Sequence, residues 1–139
     1  MVKDPDRLYV DINDRELYKK MEQEDFFKGL TRKEQFLFAM AFGFINKVSN
    51  PIKTRENFFL TKDLKPDDEA LMDSVALFKE KNIEILAKTE DVYKIAEEYA
   101  HAGIKLIVDK IGSVSFGNFW KQFEKELHES YDKLVKAEE

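Results

Sequence analysis

The chain contains no cysteine, which removes disulfides, thiolate metal ligands and cysteine nucleophiles together. It has five glycines, and none forms a phosphate-cradling Walker or Rossmann loop. Serines are few (Ser49, Ser74, Ser113, Ser115 and Ser130), and none occupies a Gly-x-Ser-x-Gly elbow. The longest stretch free of charged and hydrogen-bonding side chains runs from Phe36 to Ile45, well short of the roughly 20 apolar residues that span a bilayer. Met-Val-Lys-Asp-Pro-Asp at the N-terminus lacks the apolar centre of a signal peptide, so the expected location is cytoplasmic. No helix-turn-helix, zinc-finger or RNP signature is present. A net charge of −5 argues against a globally basic nucleic-acid binder.

Aromatic residues are plentiful: 12 Phe, 5 Tyr and one Trp in 139 residues. They supply enough buried area for one packed domain spanning 1–139, with residues 1–7 expected to fray. The organising segment is Phe36–Ile45. Thr31 followed by Glu34 reads as a capping box that starts a helix there. A helix over residues 32–48 would be apolar on nearly every face and therefore buried on all sides. The fold expected is all-α, about five helices packed around that central one.

Ahead of it, Leu8–Ile12 alternates like a short strand with nothing obvious to pair with, so it is either an edge strand or an extended lead-in. Asn13 or Asp14 is expected to cap a helix reaching Gln23. Behind it, Ser49-Asn50-Pro51 reads as a stop, and residues 51–65 as a loop anchored by Phe58-Phe-Leu60. Pro66-Asp-Asp-Glu69 starts a helix ending near Lys81-Asn82, where Asn82 caps a short turn. Thr89 to Ile111 reads as one helix interrupted by Gly103, with Gly112 ending it. Ser113 or Ser115 opens a last helix bearing Phe116, Phe119, Trp120 and Phe123.

Charge is unevenly distributed. Between Lys28 and Lys65 stand eight basic and three acidic residues, whereas Pro66–Ile104 has four basic and ten acidic. Lys28, Arg32 and Lys33 at one end of the central helix, and Lys47, Lys53 and Arg55 beyond the other, are the candidate contacts to a phosphate backbone. Glu98-Tyr-Ala-His101 has the Glu-x-x-His spacing of di-iron bundles. The matching second pair is missing, because Lys125 stands three residues before His128. A metal-dependent enzyme using Glu98 and His101 is therefore the weakest reading, and neither enzymatic activity nor a cofactor is expected.

Two stretches resemble a known family. One is Phe36-Leu-Phe-Ala-Met-Ala-Phe-Gly-Phe44, followed by Pro51-Ile and Thr54-Arg-Glu-Asn-Phe58. The other is Ile95-Ala-Glu-Glu-Tyr-Ala-His-Ala-Gly-Ile104, downstream of Ala70-Leu-Met-Asp-Ser-Val-Ala-Leu77. In order and spacing they are similar to the fourth protein associated with Dnd (DNA phosphorothioation) systems, over roughly residues 14–110. That family often has Asn-Gly-Gly where this chain has His101-Ala102-Gly103. The resemblance implies a prokaryotic defence context and a noncatalytic accessory role, touching DNA or a larger restriction protein, with no catalytic residue to carry over. The alternative is a protein-interaction or homo-oligomerising subunit using Phe116, Phe119 and Trp120. Tyr99 and Gly103 sit on a helix face suited to close approach, by the chain's own core or by a partner.

Overall fold

The computed structural model describes residues 5–111 and 119–138. Gly112, Ser113, Ser115 and Phe116 lie outside them, as do the side chains of Phe119 and Trp120. The described elements are β1 (Arg7–Asp11), α1 (Arg15–Glu22), α2 (Arg32–Ile45), β2 (Arg55–Leu60), α3 (Pro66–Glu80), α4 (Thr89–Lys110) and α5 (Phe119–Glu138), with single 3-10 turns between several of them.

Helix α2 begins as its sequence dictates. The Glu34 amide donates to Thr31 Oγ1 at 3.2 Å, and the Thr31 amide donates to Glu34 Oε1 at 3.0 Å. Every residue from Gln35 to Phe44 is buried. The one polar member, Gln35, donates through Nε2 to Glu22 Oε1 at 2.8 Å, so burial does not orphan it. The helix closes at Ile45 rather than Val48. Lys47 turns left-handed (φ 58°), and the Lys47 and Val48 amides bond back to Phe44 and Gly43 carbonyls at 3.1 and 3.0 Å. That is a Schellman ending with lysine where glycine is favoured.

Helix α4 crosses α2 antiparallel and at minimal separation. A Cβ added at Gly103 would lie 1.8 Å from the Ala39 carbonyl oxygen, and one at Gly43 would lie 2.2 Å from that of Tyr99. The close approach expected at Tyr99 and Gly103 is thus made by the chain's own core helix. Helix α3 runs parallel to α2: Lys33 pairs with Asp68 at their N-terminal ends, and Phe44 meets Phe78 near their C-terminal ends, ring centroids 5.0 Å apart. Helix α5 packs on both through buried Phe123 and Leu127.

The difference from expectation is a sheet. Residues 55–60, read as loop, form β2 and pair antiparallel with β1, giving the N-terminal strand its partner. The register shifts between Leu8, opposite Phe59, and Tyr9, opposite Asn57. Phe58 is thereby the extra residue of a bulge, and the bulge lets consecutive Phe58 and Phe59 both turn inward. No helix among the described residues is long and apolar enough to cross a membrane.

Candidate functional site

The six basic residues do not converge. Helix α2 has 14 residues, so at about 1.5 Å per residue the Lys28–Arg32–Lys33 group and Lys47 are separated by about 20 Å. Three of the six stand in ion pairs within the chain, one of them largely buried. Lys28 pairs with Asp25 at 2.9 Å, Lys33 with Asp68 at 2.8 Å, and Arg55 with Glu97 at 3.0 Å. Lys33 and Asp68 are 14% and 15% exposed, so theirs is a partly buried bond between α2 and α3. Burial alone would raise the Asp68 carboxyl, but Lys33 and the Lys65 amide outweigh it and hold it below its ordinary value.

Arg32, Lys47 and Lys53 enter no ion pair among the described residues. Arg32 lies over the Phe58 ring at 5.2 Å and donates to the Phe58 carbonyl at 3.3 Å. Beside it, Arg32, Lys65, Phe59, Leu60 and Asp63 line a cleft of about 620 Å³ where α2 and α3 both begin. A neighbouring cleft of about 410 Å³ has Leu37 and Phe38 in its wall and half-exposed Phe26 at its rim.

The sequence reading missed the other feature, a seam of buried ionisable groups between the N-terminal segment and α4. Asp11, Asp14, Glu97 and His101 are 3%, 1%, 3% and 8% exposed. Glu97 and His101 are one turn apart on α4 and face the same segment. Glu97 accepts the Tyr9 amide at 2.8 Å and Arg55 at 3.0 Å, while Arg55 lies 4.1 Å over the Tyr9 ring. His101 Nδ1 is 2.5 Å from Asp14 Oδ2, and Lys105 Nζ is 3.4 Å from His101 Nε2. Asp14 stands at the N-cap of α1, as expected, but its side chain is turned to His101 and makes no capping bond. Among the described residues its Oδ1 is buried without a partner, as is the Tyr18 hydroxyl.

The carboxyls of this seam respond oppositely to their surroundings. Burial pushes Asp11 up, but backbone amides of Asn13, Lys53 and Thr54 outweigh it and hold it low. Burial dominates at Asp14 and raises it despite His101. At Glu97 burial also dominates, lifting the carboxyl to about 7 against the pull of the Tyr9 amide and Arg55. Outside the seam, Arg55, Glu90, Asp91, Lys94 and Glu98 share with Glu97 a cleft of about 510 Å³. His101, at Glu-x-x-His spacing from Glu98, bonds Asp14 instead, and no group of three metal-ligating side chains gathers among the described residues.

Fold and site together define, over the described residues, a mostly α-helical fold with a two-stranded sheet and a seam of buried ionisable groups. The chain belongs to the family of DNA sulphur modification system-associated protein 4, whose model matches residues 7–132. No curated protein and no solved structure matches it.

Proposed function

We propose that this protein is a noncatalytic accessory component of a DNA phosphorothioation-linked modification and restriction system, and that it works by contact. Its contact end is the one where α2 and α3 begin, and its target is the DNA backbone. The observation behind this reading is the pair Arg32 and Lys65, neither within ion-pair distance of a carboxylate among the described residues, although Lys65 is near enough to help hold Glu34 and Asp68 low. They stand beside two helix N-termini, whose macrodipoles favour anions. Glu34 and Asp63 line the same cleft, so contact is local and few phosphates are engaged.

Two neutralised phosphates give a log–log salt slope of about −1.8. The test is fluorescence anisotropy with plain, nicked and phosphorothioate duplexes at several salt concentrations. Arg32→Glu/Lys65→Glu should abolish binding, and Lys47→Glu/Lys53→Glu should leave it. Arg55 is unsuited to charge reversal because it answers buried Glu97. Absence of binding at low salt refutes DNA contact. It would favour a second reading, contact with a larger protein of the system, which the apolar cleft beside Phe26 supports.

A further inference from the structure

We propose that residues 7–14 form a proton-controlled strap: Glu97 and Asp14 fasten it to the helical core when they carry a proton and loosen it when both are ionised. Four of the five buried polar or charged residues in the described chain, all but Gln35, lie in the seam between this segment and its neighbours. Two of the bonds that cross to α4 end on ionisable side chains, Tyr9 N–H to Glu97 and Asp14 to His101. A two-stranded sheet is marginal alone in water, so β1 depends on these attachments and on Leu8 and Val10.

Every charge facing the two carboxyls bears on the direction. Glu97 meets Arg55 from β2, and Glu98 on its own helix, with Glu90, Asp91 and Lys94 around the shared cleft. Arg55, the cation bonded to Glu97 among the described residues, is 54% exposed, so water screens it. Asp14 meets His101 and Lys105 from α4, together with Asp11 and Tyr18 nearby. Burial of the ionised carboxylate outweighs these partners at both positions. Undocking rehydrates both groups. Opening therefore releases protons, and the strap loosens as pH rises from the ordinary Glu value of 4.5 to the docked value of about 7, levelling off above. Release would bare the edge of β2 that pairs with β1.

Amide hydrogen exchange by NMR, corrected for base catalysis of the intrinsic rate, tests this on the full chain. Between pH 5 and 7 the protection of the Tyr9 amide should fall by roughly tenfold per pH unit. The Ala39 and Met40 amides of α2 should stay at least about a hundredfold better protected at each pH, because they open only with the whole domain. Glu97→Gln, which keeps an acceptor for Tyr9, should flatten most of the slope. Wild-type protection independent of pH overturns the proposal, whatever the variant does. So does exchange of Tyr9 and Ala39 at a common rate, or an undiminished slope in Glu97→Gln.

Discussion

Replacing Gly103 by alanine tests the helix crossing that the whole fold is built on. The added methyl would lie 1.8 Å from the Ala39 oxygen, 2.8 Å from the Gly43 nitrogen and 2.9 Å from the Ala39 carbon. All three are backbone atoms of α2, so no side chain can swing aside. Reaching even a 3.0 Å contact demands a shift of about 1.2 Å, the difference between 3.0 and 1.8. Overpacking costs about 1–3 kcal/mol where neighbours can adapt, and the upper end applies where backbone must move. Alanine returns about 1 kcal/mol through helix propensity. The net loss is about 2 kcal/mol, which lowers Tm by about 5–10 °C in a domain of this size. Thermal melts followed by circular dichroism, with urea midpoints as a second measure, give the value. Gly29→Ala is the contrast, since nothing lies within 4 Å of its added Cβ and only its φ of +82° is disfavoured. A Gly103→Ala protein melting at or above wild type would refute the argument.

Lys47→Gly and Lys81→Gly should each stabilise the protein by about 0.5–1 kcal/mol, because both lysines are left-handed at helix ends (φ 58° and 56°). Urea denaturation of the single variants checks this, and no gain at either site would mean that the lysine charge offsets its backbone cost. Global stability should peak near pH 5 rather than at neutrality. Asp11, Glu34 and Asp68 are held low, so their contribution is present above ordinary carboxylate values (3.8 for Asp, 4.5 for Glu) and lost as pH falls through the folded ones. Glu97 and Asp14 are raised, so theirs is full below those values and lost as pH rises, for Glu97 by about 7. Melts from pH 3 to 8 that climb steadily to pH 7 would contradict this.

The helices were legible because their signals are local. Thr31 and Glu34, Pro66 with its following acids, and Asn82 before its turn each act within three or four residues. All appear at the expected places, with the Asn82 side chain accepting the Glu84 amide at 2.9 Å. Strand β2 was not legible. Its bulge puts two adjacent phenylalanines inside and destroys the alternation that marks a strand, and its partner lies more than forty residues earlier. The seam was hidden for a similar reason. Asp14 precedes a helix, which makes capping the natural reading, and nothing near it in sequence announces a histidine 87 residues away. Likewise the local density of lysines and arginines around α2 gave no sign that Asp68 and Glu97, far along the chain, would pair with Lys33 and Arg55.

The bond from the Tyr9 amide to Glu97 spans 88 residues, and this separation sets an order of events during synthesis. At about 5–20 residues per second, a ribosome needs about 4–18 s after making Tyr9 before it makes the side chain that receives it. Helix α2, whose ten consecutive buried positions are covered chiefly by α4, stands open to water in that interval. The nascent chain thus presents its most adhesive segment well before α4 exists to cover it. Binding of a chaperone to the growing chain should be strongest in the interval between completion of α2 and emergence of α4.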